Sequence, residues 1–297
     1  DIQQENLNVE LYKLHDRINQ LFFGALMIDE QLKQSNLLKD DIQIGIKQMQ
    51  AAIDNGTGFH SNLDKLKAEL LKVTQHDIEL KASRKAYTDM LGLFINKKIN
   101  EQTVLVKPSA PVEAEDSIKR PELLAFELQK KSSLLQGKLI ATKSYPKLQA
   151  FFQGGTGKPS PVNLLQDGFK PFYITGVRLN WSPTSLYTLK REKQLNENDR
   201  KIIDVQQNIF LFNTQVSVKQ QNADIDKFEQ LIASDNDIIK LRESVKKTSA
   251  AQLENGVITT NDYLKEVNEE DEARQNMILH KMQLLMTQYA QKTTTGN

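Results

Sequence analysis

The hexapeptide AAIDNG at residues 51–56 returns as AQLENG at residues 251–256, and these two stretches decide the fold. In both, a small residue is followed by one residue of any type, an apolar residue, an acidic residue and an Asn-Gly pair. An Asn-Gly pair is typical of a helix C-terminus, where one residue adopts a positive φ. We therefore expect one helix to end at each hexapeptide and another to follow it, as two copies of a duplicated helical hairpin.

A helix-start pattern follows both turns. Ser61 is followed by Asp64, and Thr259 is followed by Asp262. In such a capping box the hydroxyl and the carboxylate each accept a hydrogen bond from a backbone N–H that the helix leaves free. The spacing predicts that the two hairpins match where the first helix ends and where the second helix begins. The first turn would be two residues longer than the second.

Long helices flank both turns. Apolar residues recur at spacings of three and four from Leu7 to Ile53, a pattern that predicts one helix over about residues 2–54. At 1.5 Å per residue, this helix would be about 80 Å long. Two such hairpins expose a large apolar stripe, so we expect neighbours or further copies to cover it.

The whole chain divides into six predicted segments. They are a first helical hairpin (1–100), a connector (101–117), a helix (118–142), a β-hairpin (143–183), a second helical hairpin (184–291) and a loose polar tail (292–297). Within the connector lies an acidic patch of Glu113, Glu115 and Asp116. The predicted fold class is mainly α: long antiparallel helical hairpins with one short β-hairpin.

The two predicted strands, 144–153 and 172–182, each alternate between an apolar and a polar face. The apolar set is Leu148, Ala150, Phe152, Tyr173, Val177, Leu179 and Trp181, and the polar set is Lys147, Gln149, Arg178 and Asn180. The eight steps from Tyr173 to Trp181 cover about 26 Å. Allowing for strand tilt, that length nearly crosses the ~25 Å apolar band of an outer-membrane strand, with aromatic residues at its boundaries.

We interpret the apolar set as lipid-facing and the polar set as lumen-facing. Two strands cannot close a barrel, and an open strand edge is not tolerated in lipid. Closure into a transmembrane β-barrel would therefore need several chains. The alternative is an ordinary amphipathic hairpin that packs on the helices.

Composition excludes several classes of protein. The 297 residues include 39 basic and 38 acidic side chains, without the basic stripe that a nucleic-acid binder needs. Cysteine is absent, which excludes disulfides, a thiolate nucleophile and Cys-ligated zinc. No apolar run reaches about 18 residues, so the sequence predicts no transmembrane helix.

No constellation of residues predicts catalysis. The stretch GGTGKP at residues 154–159 is similar to a phosphate loop, but Phe152 and Pro159 stand where that motif requires Gly and Ser or Thr. The four histidines are far apart and lack metal-ligand spacing. The acidic run at residues 269–272 is typical of a solvated helix face. The sequence therefore predicts no enzyme, no metal site and no cofactor.

Three stretches resemble the TolC-like outer-membrane efflux family. They are RPEL at 120–123 with a helix running into YPKL at 145–148, FYITGVRLNW at 172–181, and GVITTNDYL at 256–264. The resemblance implies a protomer with two repeats, each with two strands and a long helical pair. Since no strands precede the first hairpin, we expect the mature chain to begin upstream of Asp1 with a helix and the first strand pair.

The resemblance also implies a function and a set of partners. Three protomers of this family form a β-barrel in the outer membrane and a helical tunnel, or α-barrel, through the periplasm. The chain would be the passive channel component of a tripartite efflux or type I secretion system. Its partners would be two further copies of itself, a periplasmic adaptor protein, an inner-membrane pump and outer-membrane lipid, and no nucleic acid.

Family resemblance further assigns roles to the two turns. An adaptor would dock on the tips, at Gly56, Thr57, Gly58, Phe59, Gly256, Val257 and Ile258. Phe59, Val257 and Ile258 are the strongest candidates, because exposed apolar side chains at a turn have no capping role. The alternative is that these residues only cap helices.

Asp262 matches a family position where acidic side chains narrow the closed tunnel. Lys265, one turn later, departs from that pattern, and Asp262 also has a predicted capping role. A different class of function, a soluble coiled-coil scaffold or adaptor, remains the alternative. The strand pair separates the two, because a scaffold has no use for an apolar face bounded by Tyr173 and Trp181.

Overall fold

The computed structural model describes residues 2–100, 102–111, 117–158, 165 and 168–297. The acidic patch at Glu113, Glu115 and Asp116 lies outside these residues, as does Pro159 of the GGTGKP stretch. The elements in chain order are α1 (Ile2–Asp54), α2 (His60–Ile95), α3 (Pro121–Thr142), β1 (Lys147–Gly157), β2 (Lys170–Asn180), α4 (Ser185–Glu254) and α5 (Thr260–Thr295). The predicted fold class, long helical hairpins with one β-hairpin, is confirmed.

The chain forms two compact units, and their boundary cuts across both predicted hairpins. Unit 1 consists of residues 1–6 and 122–211, and unit 2 of residues 7–121 and 212–297. Unit 1 therefore holds α3 from its second residue onward, the strand pair and the first part of α4. Unit 2 holds most of α1, all of α2 and α5, and the tip-proximal part of α4.

Unit 2 is held together by three clusters of buried apolar side chains. The first joins Leu38 and Ile42 of α1 to Val73 of α2 and to Tyr263 and Val267 of α5. The second joins Phe23 and Leu26 of α1 to Met282 and Leu285 of α5. The third, near the turns, contains Met49, Leu63 and Leu66. Burying side chains of this size stabilises the packing by about 1.5–3 kcal/mol each.

Unit 1 is held by a mixture of polar and apolar contacts between α3 and α4. Lys130 of α3 forms an ion pair with Asp204 at 2.5 Å. The rings of Phe126 and Phe210 lie 6.1 Å apart. Helix α3 begins at Pro121, a residue suited to the first helical position because the N–H that proline lacks would have no partner there.

Strands β1 and β2 pair antiparallel, from Lys147 opposite Asn180 to Gly157 opposite Lys170. The pairing extends further towards the loop than the predicted strands do, because Gly154, Gly155 and Gly157 continue the ladder. At the other end, Trp181 lies just beyond β2. Its indole N–H donates to the carbonyl of Ser144 at 3.1 Å, which fixes the ring at the base of the hairpin.

The predicted loose tail at residues 292–297 is wrong. Helix α5 continues to Thr295, and the side chains of Thr293 and Thr295 are buried. The carbonyl of Thr293 accepts hydrogen bonds from the Tyr12 hydroxyl at 2.9 Å and from Arg120 at 3.1 Å. Threonine hydroxyls can bond back to helix carbonyls, as Thr295 does to Gln291 at 3.0 Å, so a polar end remains helical once it is packed.

Candidate functional site

The two turns of unit 2 have the same length and the same backbone conformation at their Asn-Gly pairs. Each contains five residues, 55–59 between α1 and α2 and 255–259 between α4 and α5. Gly56 and Gly256 adopt φ of 75° and 69°, and the next N–H, of Thr57 or Val257, donates at 2.8 Å to the carbonyl five residues earlier. The expectation of a longer first turn is therefore wrong. The helix end and the helix start that flank the second turn lie 200 residues after those that flank the first.

The two second helices begin differently. Thr259 and Asp262 form the predicted capping box, with Asp262 N–H to Thr259 Oγ1 at 3.3 Å and Thr259 N–H to Asp262 Oδ2 at 3.0 Å. Helix α2 instead begins at His60, and its N-cap Phe59 makes no side-chain cap. The predicted box at Ser61 is wrong because α2 starts early enough to place Ser61 inside the first helical turn.

The apolar residues at the tips differ in exposure. Phe59 is 73% exposed and Val257 69%. Ile258 is only partly exposed and packs against the cluster that contains Leu38 and Tyr263. The prediction that its side chain is exposed is therefore wrong. The turn requires glycine at position 58, because a Cβ there would lie 2.8 Å from the backbone nitrogen of Ile53.

A cleft of about 300 Å³ lies between the ends of α1 and α4. Its lining residues are Gln48, Met49, Ala51, Ala52, Asn55, Thr57, Leu253 and Glu254. Residues of α1 and the first turn form one side of the cleft and Leu253 and Glu254 of α4 the other, so polar and apolar side chains are mixed in its lining. Such a surface suits contact with another protein better than enclosure of a small molecule.

Asp262 is exposed, and its carboxylate is bonded to Thr259. Hydrogen bonds from the hydroxyl and the backbone N–H of Thr259, assisted by the charge of Lys265, lower the pKa of Asp262 below its ordinary value. The side chain therefore stays ionised at neutral pH and holds the start of α5.

Sequence reasoning missed a buried ionic cluster that joins the two hairpins. Lys246 of α4 donates to Asp41 of α1 at 2.7 Å and to Glu270 of α5 at 2.9 Å. Arg274 donates to Glu270 and to Glu243. The side chain of Glu270 is only 3% exposed, so the prediction of a solvated acidic face at residues 269–272 is wrong for this residue.

Protonation in this cluster follows from its hydrogen bonds. Burial alone would raise the pKa of Glu270, but hydrogen bonds from Lys246 and Arg274 outweigh burial and lower it. Burial alone would lower the pKa of Lys246, but Asp41 and Glu270 outweigh it and raise that pKa. Both groups are thus held in their charged forms.

Further polar contacts connect the same helices. Asp77 of α2 is buried and accepts hydrogen bonds from Ser35 and Lys39 of α1; these bonds outweigh burial and lower its pKa. His280 of α5 lies 2.6 Å from the carboxylate of Asp235 on α4. Within the described residues, no three metal-binding side chains converge.

The strand register places the two predicted sets on opposite faces. Leu148 lies opposite Leu179 and Ala150 opposite Val177, whereas Gln149 lies opposite Arg178 on the other face. The Arg178 guanidinium lies 5.4 Å from the centroid of the Phe151 ring, a cation–π contact. The predicted grouping of the strand residues therefore agrees with the pairing.

The apolar face of the strand pair is exposed within the chain. The exposed fractions are 72% for Leu148, 74% for Phe152, 73% for Tyr173, 67% for Val177 and 65% for Leu179. A contiguous apolar face of this kind marks contact with protein or membrane. The alternative, a hairpin packed by this face on the helices of the same chain, is contradicted by these exposures. Among the described helices, none contains a segment both long and apolar enough to cross a membrane.

Comparison with solved structures gives a consistent result. The outer-membrane channel OprN matches with a TM-score of 0.72 and 14% identity over 99% of this chain and 68% of its own. The outer-membrane protein VceC of Vibrio cholerae matches at 0.76 and 11%, over 95% and 69%. The MtrE outer-membrane channel of Neisseria gonorrhoeae in its open state matches at 0.76 and 12%, over 100% and 70%.

Comparisons at the level of sequence find nothing: no family model and no curated protein matches the chain. The likeness therefore lies in architecture, the long helical hairpins and the strand pair that follows α3. The chain has the fold of the TolC-like outer-membrane channel proteins.

Proposed function

We propose that this chain is part of the outer-membrane channel of a bacterial tripartite efflux or type I secretion system. It would act as a passive duct across the periplasm and the outer membrane, with no reaction of its own. The observation that carries this proposal is the bare apolar face of β1 and β2, exposed in a chain with this fold.

Lipid contact accounts for that face. Tyr173 and Trp181 lie towards opposite ends of the β2 side of the face, which suits aromatic residues at the two membrane boundaries. Lys147, Gln149, Arg178 and Asn180 on the opposite face would line an aqueous lumen. Because two strands leave unpaired edges, we propose that further copies complete the barrel.

Assembly with further copies is supported by exposed apolar residues on the helices. Ile202, Val205 and Ile209 in the unit 1 part of α4 are each 54–55% exposed at spacings of three and four, as in a helix–helix seam. In unit 2, Ile238, Leu241 and Val245 repeat that spacing with 42–69% exposure. Neighbouring protomers in a homotrimer would cover both stripes.

Adaptor contact at the tips is the next part of the proposal. Phe59 and Val257 project apolar side chains into solvent beside the cleft between α1 and α4. We propose that these two residues contact a periplasmic adaptor that links the channel to an inner-membrane pump. Gly56, Gly58 and Gly256 would shape this surface through their backbone, with Thr57 and the half-buried Ile258 at its edge.

Asp262 would lie near the periplasmic entrance in such an assembly. Its low pKa keeps a negative charge there, so a ring of three would favour cations. Lys265 on the next turn would weaken this preference.

The deciding experiment is extraction of the full-length gene product from cells in mild detergent, followed by membrane fractionation and native mass measurement. The proposal requires a trimer in the outer-membrane fraction. A monomer or dimer in the soluble fraction would instead favour a coiled-coil scaffold.

A further inference from the structure

The two Asn-Gly pairs share a backbone but differ in how their side chains are held. The N–H of Gly56 donates to Ile53 at 2.9 Å, and that of Gly256 donates to Leu253 at 3.0 Å. The side-chain amide of Asn255 donates to the carbonyl of Ala251 at 2.8 Å. In the described part of the chain, no hydrogen bond holds the side chain of Asn55.

We propose that Asn55 is a site of spontaneous deamidation and isomerisation, and that Asn255 is protected from it. The backbone nitrogen of Gly56 attacks Cγ of Asn55, an N–C bond forms, and the C–Nδ2 bond breaks. Ammonia leaves with the proton that the Gly56 nitrogen gives up. Water then opens the resulting cyclic imide at either carbonyl, giving aspartate or isoaspartate at position 55.

Glycine after the asparagine makes this attack possible, because no side chain obstructs the approach to Cγ. Both asparagines and both glycines are exposed to solvent, so water reaches either imide. Both nucleophilic nitrogens are restrained by an equivalent hydrogen bond to the carbonyl three residues back. This restraint on the attacking nitrogen is therefore the same at the two sites. Later in the first turn, the N–H of Gly58 and the hydroxyl of Thr57 also donate to the carbonyl of Ala52, each at 3.0 Å.

The side-chain tether distinguishes them. The bond to Ala251 directs the Asn255 amide back along α4, away from the nitrogen of Gly256. Attack at this site requires the bond to break first, whereas no such bond has to break at Asn55. One net hydrogen bond corresponds to about a fivefold difference in rate.

The consequence is a chemical change confined to one tip. Either product places a carboxylate at the C-terminus of α1, where the helix dipole disfavours negative charge. Isoaspartate also inserts an extra methylene into the backbone of the turn. Asn55 lines the cleft between α1 and α4, so that surface changes with the age of the protein. This inference does not depend on the proposed function.

The test is an ageing time course on the purified full chain at mildly alkaline pH. Proteolytic digestion and mass spectrometry would follow conversion at both sites, and enzymatic methylation would identify isoaspartate. We expect Asn55 to convert about fivefold faster than Asn255 in the folded chain. In urea, and in synthetic peptides of residues 49–61 and 249–261, the two rates should be equal.

A matched variant tests the alternative that the residue after glycine sets the rate. Thr57→Val gives the first turn the same residue that Val257 provides in the second. The variant also removes the hydrogen bond from the Thr57 hydroxyl to the carbonyl of Ala52, which loosens the first turn, so the ratio should stay at about fivefold or rise. Equal rates in the folded wild-type chain, the same ratio in the peptides, or loss of the ratio in Thr57→Val would each overturn the assignment.

Discussion

Replacing Lys246 by methionine removes the charge that joins the two helical hairpins. Lys246 donates to Asp41 on α1 and to Glu270 on α5. Its own side chain is 20% exposed and that of Glu270 only 3%. Methionine keeps the length and the apolar contacts of the lysine stem, so the change isolates the ammonium group.

The loss of stability depends on the partners that each carboxylate keeps when the lysine charge is removed. Removing one partner of a buried ion pair costs about 3–5 kcal/mol when the other charge is left alone. Here Glu270 keeps Arg274, and Asp41 is 32% exposed, so water replaces part of the loss. We expect the free energy of unfolding to fall by about 1.5–3 kcal/mol, the range for hydrogen bonds to charged groups.

Urea denaturation followed by far-ultraviolet circular dichroism would measure this loss. Lys240→Met is the matched control, since Lys240 lies on the same helix and pairs at 3.0 Å with Asp237, where both side chains are at least 74% exposed. An exposed pair of this kind is worth less than about 1 kcal/mol. Equal destabilisation by the two substitutions would refute the argument that burial gives Lys246 its effect.

Three other predictions concern the caps, the strands and pH. Thr259→Ala should cost about 1 kcal/mol of stability, whereas Ser61→Ala should cost almost nothing, and a similar loss in thermal unfolding of both variants would contradict the capping assignment. Val177→Arg, on the apolar strand face, should cost roughly 2–4 kcal/mol in a bilayer and prevent recovery in the outer-membrane fraction. Gln153→Arg, which lies opposite Ile174 on the other face, should assemble normally, and normal insertion of both variants would contradict the lipid-facing assignment. Glu270 has a lowered pKa in the folded state, so its stabilising effect is present above its unfolded pKa and is lost as pH falls through the folded pKa. The Glu270→Gln variant should therefore be less stable than the wild-type chain at neutral pH and should lose less stability on acidification. Parallel acid-unfolding curves for the two proteins would exclude this role.

Much of the fold could be predicted because its signals are local. The spacing of apolar residues predicts α1 with its observed bounds, Ile2–Asp54, and the Asn-Gly pairs predict where two helices end. Alternation predicts which strand residues share a face, and the register agrees. These features depend on side-chain direction and backbone φ alone, so single residues carry enough information.

Glu270 shows why the rest was not predictable from local signals. Four consecutive acidic residues at 269–272 suggest a solvated face, but Tyr263, Val267 and Glu270 follow one another at spacings of four and three. Glu270 therefore continues the apolar seam of α5, and the Arg274 one turn later is an available partner. Its other partner, Lys246, lies on a different helix, which no local pattern identifies.

Helix starts were misjudged for a related reason. The box at Ser61 has the right residues at the right spacing, yet α2 starts at His60 because the first turn is as short as the second. Gly58 makes this possible, since a side chain there would collide with the backbone of Ile53. At the other tip, Ile258 occupies the equivalent position and packs into the core, while Thr259 and Asp262 provide the cap.

The two tips therefore share a turn length and an Asn-Gly conformation but complete the turn with different side chains. At the first tip, a glycine allows a close approach and no side chain caps the helix; at the second, an apolar anchor and a capping box hold the turn. The shared features are Asn-Gly, the left-handed glycine and the bond across five residues. If only these are needed to turn the chain, most other positions are free to change. The same freedom at the turns is compatible with a fold that this chain shares with solved outer-membrane channels at 11–14% sequence identity.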